Sequence, residues 1–451
     1  MLPPVIFKRK IYQKLLEWKN YANGSEALLI QGARRVGKST VAEDFANNEY
    51  KSYILIDFVR DGEEISGLFD NMTDLNFFFL RLQQIKNVKL EVRNSVIIFD
   101  EVQFCPKARQ AIKFLVADGR YDYIETGSLI TIHKNTKNIL IPSEESRIDM
   151  FPMDYEEFLW AIGKEVSYNA LKEQEKYWFS FNDSLNRVSM KELRLYMLIG
   201  GMPQAVLKYL QTNNLAEVDR VKRRILQLYM DDFQKIDSSG TLTEIFKSIP
   251  GELSKGKLRM ELGSVLGNPP SILPKLLHEM EESMTVNFSF RCSDPNVGLK
   301  LHKEVDYFKI YMGDTGLFVT LAFWDRDVAE NIIYSKLLAD KLSVDLGYIF
   351  ENLAAQMIRA SGRSLYYYTW PQRDDLKKYY EIDFLLTSRD KLIPVEVKSG
   401  GYKTHKSLDA FCDKFSERIL YPLMVYTKTP HREGSLKMLP FYLFPIVLTN
   451  L

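Results

Sequence analysis

Apolar positions recur along this chain with two different periods, and the places where one period gives way to the other divide it. Between residues 8 and 19, Ile11, Leu15 and Trp18 fall at helical spacing and predict an amphipathic opening helix. A short apolar run from Ala27 to Ile30 predicts a strand. It is followed by a glycine-containing turn at Gly32 to Gly37 and a helical run from Lys38 to Asn47. Further apolar runs from Tyr53 to Asp57, Ser95 to Phe99 and Tyr121 to Ile124, with helical segments between them, predict a parallel sheet covered by helices. Residues 1–153 therefore read as one α/β domain.

From 154 to 239 the pattern is helical and dense in charge, with Lys191 to Leu198 and Leu215 to Phe233 as long helices, which predicts an all-α lid or connector. Residues 240–300 hold two helical runs split by GNPPS, then a β-rich stretch from Glu282 to Phe290, the outline of a winged-helix-like module. Its second helix, Pro274 to Ser283, sets Glu279, Glu281 and Glu282 beside Lys275 and His278. That charge repels phosphate and favours a structural or protein-contacting role over base reading. Residues 301–451 return to α/β, with strands expected at Leu365 to Thr369, Ile382 to Thr387, Ile393 to Val397 and Leu423 to Tyr426. The apolar stretch from Met438 to Thr449 is shorter than the ~20 residues of a spanning helix and is interrupted by Pro440 and Pro445, so it reads as a closing strand.

Composition narrows the class without naming a partner. The 451 residues, 46% hydrophobic and 26% charged, match a multi-domain globular chain. Sixty Lys and Arg against fifty-nine Asp and Glu leave a formal charge of +1, so a nucleic-acid or membrane partner has to be argued locally. Cys105, Cys292 and Cys412 are odd in number and far apart, which excludes a disulfide framework and a CxxC knot. None of the five histidines pairs with a cysteine or another histidine at zinc-ligand spacing. The opening MLPPVIFKRK lacks the apolar region of a secretory signal. A reducing, cytoplasmic setting without a membrane partner is expected.

The chemistry concentrates in two places. Gly32-Ala33-Arg34-Arg35-Val36-Gly37-Lys38-Ser39 matches GxxxxGK[ST] in full and lies between a predicted strand and a predicted helix, the setting of a P-loop. The glycines let backbone N–H groups converge on phosphates, Lys38 reaches the β/γ oxygens of ATP, and Ser39, followed by Thr40, offers a hydroxyl to Mg²⁺. Arg34 and Arg35, inside the loop, point to solvent or a neighbouring subunit more often than to phosphate. The apolar run Val96-Ile97-Ile98-Phe99 then delivers Asp100 and Glu101. Asp100 would hold Mg²⁺ directly or through water, and Glu101 would polarise the attacking water.

These segments together resemble the AAA branch of P-loop ATPases. In that branch a further strand carries a polar sensor to the γ-phosphate, and Ile124-Glu125-Thr126-Gly127-Ser128 fits the place, with Thr126 or Ser128 as the sensor. The likeness continues through Glu145-Ser146-Arg147 ahead of Met150-Phe151-Pro152-Met153-Asp154-Tyr155-Glu156-Glu157-Phe158. It also takes in Gly200-Gly201-Met202-Pro203, Asp314-Thr315-Gly316-Leu317 and Gly347 to Asn352. In this it resembles a prokaryotic family whose AAA domain is joined to a C-terminal nuclease-like domain. The resemblance implies an arginine that offsets charge on the γ-phosphate. Arg147 is the candidate, acting across a subunit boundary if the chain forms a homo-oligomer; Arg34 or Arg35 of the loop could serve instead, and a surface salt bridge of Arg147 with Glu144 or Glu145 is the alternative.

In the last third, Glu381-Ile382-Asp383 is followed by Glu396-Val397-Lys398. Alternate strand residues share a face, so Glu381 goes with Asp383 and Glu396 with Lys398. An acid on one strand and ExK on the next resembles the PD-(D/E)xK nucleases, with Ile382 where that motif has proline. The resemblance implies that Asp383 and Glu396 ligate Mg²⁺, that Lys398 orients a hydroxide, and that Glu351 is the additional helix-borne acid of that fold. Arg373, Lys377, Lys378, Lys391, Lys403, His405 and Lys406, with Tyr366, Tyr367, Tyr368 and Trp370, offer a DNA- or RNA-tracking surface or an ordinary solvated face. The fold expected is thus α/β: a P-loop AAA-type domain, a helical connector, a winged-helix-like module, and a restriction-endonuclease-like domain at 301–451. The function expected is Mg²⁺-dependent ATP binding and hydrolysis coupled to nucleic-acid binding or processing. The alternative is an ATP-gated switch with an inactive C-terminal domain.

Overall fold

The computed structural model describes residues 5–70, 72–127, 143–175, 182–266, 271–325, 336–338, 347–372 and 375–451. Two compact units emerge, Met1–Phe151 with Glu282–Met284, and Pro152–Glu281 with Thr285–Leu451.

The first unit is built on five parallel strands in the order β2-β3-β4-β1-β5, namely β1 (Ala27–Gln31), β2 (Ser52–Asp57), β3 (Ser95–Asp100), β4 (Asp122–Gly127) and β5 (Glu145–Asp149). All of β3 and β4 is buried, as parallel strands covered on both faces require. One face carries a core of Ile54, Ile56, Phe69, Phe78, Phe79, Phe99 and Tyr123, packed under helices Leu75–Lys86 and Pro106–Asp118. Each such side chain removed from water contributes roughly 1.5–3 kcal/mol. The first of these helices starts where the Asp74 side chain accepts the Asn76 and Phe77 amides, and the second has proline in its first turn and ends at left-handed Gly119. Because β4 lies between β1 and β3, the ends of three strands converge where the phosphate loop leaves β1.

In the second unit the segment from 154 on is helical as its periodicity predicts. Its helices are Tyr155–Ala161, Glu165–Glu175, Asp183–Ile199, Pro203–Thr212 and Leu215–Ile236. The first is closed by a capping box between Asp154 and Glu157. The Gly200-Gly201 and Asp314-Thr315-Gly316 segments meet here. Gly201 donates its amide to Asp314 Oδ2 at 2.6 Å, and Asp314 Oδ1 caps the helix Thr315–Ala322 through the Leu317 amide at 2.8 Å. A Cβ at Gly316 would lie 2.5 Å from the Gly200 Cα, and one at Gly201 only 2.0 Å from the Met153 carbonyl oxygen. The small residues of Gly200-Gly201 and Asp314-Thr315-Gly316 therefore serve a close backbone crossing.

Two further sheets complete this unit. One has the order β7-β6-β8-β9, made of β6 (Val286–Cys292), β7 (Lys303–Met312), β8 (Leu365–Pro371) and β9 (Tyr379–Ile382). The other has the order β10-β11-β12-β14-β13, made of β10 (Phe384–Ser388), β11 (Lys391–Val397), β12 (Leu423–Tyr426), β13 (His431–Glu433) and β14 (Leu436–Pro440). Three expectations change. The stretch expected to finish a winged helix is β6, which follows the helices Thr241–Ser254, Leu262–Leu266 and Leu273–Glu282, pairs antiparallel with β7, and also pairs parallel with β8 as a buried inner strand. The expected boundary at residue 300 consequently falls between two paired strands. The single strand expected from Ile382 to Thr387 is broken at Asp383, where the chain passes from one sheet to the other. The expected closing strand ends at Pro440, and Phe444–Asn450 is a helix that tolerates Pro445 in its first turn, where no intrahelical N–H is needed.

Candidate functional site

The phosphate loop is held from below before any ligand arrives. Gly37 has φ 101° and Arg35 φ 71°, so the turn into helix Lys38–Glu49 runs through the left-handed region that glycine adopts without strain. A Cβ on Gly32 would lie 2.2 Å from the Met150 carbonyl oxygen, so this glycine also answers to its packing. Arg9, nearly buried, donates to the carbonyl oxygens of Val36 and Phe151, both at 2.8 Å, and props the loop against the end of the unit. Arg9 stands in an ordinary-looking KRK run, and nothing in its spacing marks it.

Lys38 is buried at the loop, and its ammonium donates to the Gly32 and Ala33 carbonyl oxygens at 2.9 and 3.0 Å. Burial pulls its pKa down to about 8 against the opposing pull of Glu101 and Asp100. Those carbonyl contacts keep the lysine satisfied until a stronger anionic acceptor displaces them. Ser39 donates to Asp100 Oδ1 at 2.6 Å, and Thr126 donates to the same oxygen. Of the two sensor candidates, Thr126 is thereby placed with Asp100, while Ser128 lies outside the described residues. Glu101 follows in a left-handed turn at φ 56° and receives a hydrogen bond from the Gln103 side-chain amide, a partner that sequence spacing does not announce. Ser39, Asp100 and Thr126 converge as hydroxyl and carboxylate oxygens suited to a hard divalent ion, and the donor set fits Mg²⁺.

Arg147 is not with them. Leu29 pairs with both Glu125 and Arg147, whereas Ile30 pairs with Thr126, so Arg147 and Glu125 share the sheet face opposite Thr126. Its guanidinium bonds to Glu145 at 2.9 Å, and buried Arg109 reaches Glu145 at 3.0 Å. Burial, then the charge of Glu145, pushes the neighbouring Glu125 carboxyl well above its usual range. Within one chain the salt-bridge alternative describes Arg147.

In the second unit, Glu351, Glu381 and Asp383 each bring a carboxylate oxygen within 4.8 Å of one another. Helix Gly347–Ala360 supplies Glu351, β9 supplies Glu381, and the passage between sheets supplies Asp383. Asp383 Oδ2 accepts the Val397 amide at 2.7 Å, one step beyond the last ladder pair, Phe384 with Val395. On the facing strand β11, Glu396 Oε1 pairs with Lys398 at 2.7 Å. The other oxygen, Glu396 Oε2, is buried with no hydrogen-bond partner among the described residues. Burial, with Glu351 and Glu381 beside it, holds the Asp383 carboxyl well above its ordinary pKa. Burial opposes the Lys398 charge, and Glu396 outweighs it and raises the ammonium. The orphaned oxygen and the crowded acids fit a divalent cation between Asp383 and Glu396.

Two further groups belong to this cluster and were not expected. Lys309, on β7, donates to Glu381 at 2.6 Å and to Glu351 at 3.2 Å, and Tyr311, two residues on and on the same face, donates to Glu351 at 2.5 Å. Burial works against the Lys309 charge, but Glu351 and Glu381 prevail and hold it well above the ordinary lysine value. The aromatics expected as a stacking surface are mostly core, since Tyr366, Tyr367, Tyr368 and Trp370 are all buried. Arg373 lies outside the described residues.

Comparison with known proteins agrees with the first unit. A family model described as an AAA domain matches residues 24–159. Residues 24–159 are an AAA-type P-loop ATPase domain. Two models described as domains of unknown function, DUF8612 and DUF4143, match residues 190–328 and 346–442. No curated relative matches the chain. Among solved structures, the Walker-type ATPase PABY2304 of Pyrococcus abyssi aligns at 17% identity and TM-score 0.41, over 71% of this chain and 99% of that one. The Aeropyrum pernix ORC1 protein, in complex with DNA, aligns at 14% identity and TM-score 0.27, over 72% of this chain and 95% of that one. No helix among the described residues is long and apolar enough to cross a membrane.

Proposed function

We propose that this chain hydrolyses ATP with Mg²⁺ in its AAA domain and that the cycle is coupled to nucleic-acid binding or processing by the carboxylate cluster of its second unit. At the first site the bound ion supplies charge to the β/γ-phosphates. Lys38 exchanges its loop carbonyls for phosphate oxygens, Ser39 and Asp100 offer the ion ligands, Thr126 orients their shared oxygen, and Glu101, steadied by Gln103, takes the proton of the attacking water. At the second site Asp383 and Glu396 would hold a divalent ion, which would supply Lewis-acid chemistry to a phosphodiester, and Lys398 would orient the attacking water.

The observation that carries the nucleic-acid half is the juncture at Asp383. A switch between sheets places this acid against the Val397 amide, next to a buried, unpartnered Glu396 oxygen. Stability alone gives no reason to bury an acceptor without a donor.

The test is a paired assay on the full chain, ATP turnover and cleavage of DNA or RNA with Mg²⁺ or Mn²⁺, in wild type, Lys38→Ala and Asp383→Ala. Lys38→Ala is expected to lose turnover, and Asp383→Ala to lose cleavage and keep turnover. A wild-type protein that neither binds nor cuts DNA or RNA at low salt, with or without ATP, removes the nucleic-acid half and leaves an ATP-gated switch.

A further inference from the structure

The carboxylate cluster has two unlike halves. On the β7 side, Glu351 Oε1 already receives two donors, Lys309 Nζ and Tyr311 Oη, and Glu381 Oε1 receives Lys309 at 2.6 Å. Lys309 is 6% exposed, and its ammonium stands over the Tyr367 ring, so the charge is committed to these acids and not shared with solvent. On the β11 side, Asp383 spends one oxygen on the Val397 amide, and Glu396 keeps a buried oxygen with no partner among the described residues. Three acids this close need a cation, and on the β7 side the chain provides its own.

We infer that Lys309 is a resident cation occupying the Glu351–Glu381 side of the cluster, so that a divalent ion is admitted only between Asp383 and Glu396. The inference rests on reading that second pair as the metal-facing one. A cavity lined by Glu252, Lys257, Arg259, Met260, Lys309 and Glu351 adjoins the lysine on this side of the cluster. The lysine is tethered to β7, where it pairs with Ser289 of β6. It therefore cannot diffuse away as a bound metal can, and it sets the cluster to hold one divalent ion instead of two.

Mn²⁺ binding to the full chain without nucleotide, counted by equilibrium dialysis and electron paramagnetic resonance, tests this. In the wild type one Mn²⁺ is expected to be lost with Asp383→Ala and unaffected by Glu381→Gln. Lys309→Met should gain one Mn²⁺ per chain, the gain should vanish when Glu381→Gln is added, and Lys309→Arg should gain none. A Lys309→Met protein that is folded by circular dichroism and binds no extra ion overturns the inference. So does loss of an ion from Glu381→Gln in the otherwise wild-type chain, an arm that stands even where Lys309→Met fails to fold. If the wild type takes up no Mn²⁺ at this cluster while Lys309→Met takes up one, the metal reading of Asp383 and Glu396 fails and the role of Lys309 holds.

Discussion

Ser39 donates its hydroxyl to Asp100 Oδ1 at 2.6 Å, which links the first turn after the phosphate loop to the end of β3. A hydroxyl and a carboxylate in this relation can exchange their mutual bond for a shared Mg²⁺, with Asp100 contributing the negative charge. Asp100→Asn keeps the shape and removes that charge. The expected result is ATP affinity little changed without Mg²⁺ and a loss of most of the Mg²⁺-dependent tightening, read by titrating a fluorescent ATP analogue with and without the metal. Equal Mg²⁺ enhancement in both proteins would place the metal ligand elsewhere.

Glu101 sits one residue past β3 in a left-handed turn, held by Gln103. A general base contributes ~10² to 10⁴ in rate. Glu101→Gln should therefore slow turnover by about that factor and leave ATP bound. Gln103→Ala, which frees the carboxylate without removing it, should give a smaller loss in kcat with KM unchanged. Normal turnover in Glu101→Gln would mean that another group activates the water.

The phosphate site was legible in the sequence because its chemistry is local. The loop needs its glycines, lysine and serine at fixed spacing, and the end of an apolar strand announces Asp100 and Glu101. The second site was legible only in part. Glu351, Asp383, Glu396 and Lys398 could be picked out by type and order, but Ile382 to Thr387 reads as one continuous strand, and only tertiary pairing divides it at Asp383. Lys309 and Tyr311 were invisible for a related reason. On an alternating strand a lysine reads as a solvent-facing residue, and its partners arrive from Glu351 and Glu381, far along the chain. The boundary expected at residue 300 missed its place because a helical run followed by an apolar strand is the same pattern whether the strand ends a small module or also enters a larger sheet.

Arg147 tests the difference between a motif-based and a geometric reading. It is 41% exposed, paired with Glu145 on its own strand, and on the sheet face opposite Thr126. A surface pair of this kind contributes ~1 kcal/mol or less, whereas an arginine finger contributes ~10³ to 10⁵ in rate. Arg147→Ala should lower kcat by less than ~10-fold and shift the unfolding midpoint only slightly. A loss of ~10³-fold that disappears on dilution would instead show that Arg147 acts on a neighbouring subunit's nucleotide.

Lys222 has no exposed surface, and its ammonium donates to the Leu198 carbonyl oxygen at 2.6 Å and the Gly316 carbonyl oxygen at 3.2 Å. It thus ties helices Asp183–Ile199 and Thr315–Ala322 together beside the Gly200–Asp314 crossing. Burial, only partly countered by Asp219 and Asp314, lowers its pKa from 10.5 to about 8. The sign follows from proton counting. Below pH 8 both folded and unfolded chains hold the proton, and the fold carries the cost of a buried charge. Between pH 8 and 10.5 the unfolded chain holds a proton that the folded one has released, so this group's contribution to stability grows as pH rises, by at most ~1.4 kcal/mol per pH unit. Its contribution is complete above pH 10.5 and is lost as pH falls back through 8. Lys222→Met removes the titration and leaves both carbonyls without that donor. The urea midpoint of the wild type should therefore gain on that of Lys222→Met steadily from pH 7.5 to 9.5, with tyrosine ionisation common to both proteins and cancelling in the difference. Midpoints that run parallel across this range would show that Lys222 keeps an ordinary lysine pKa in the folded chain.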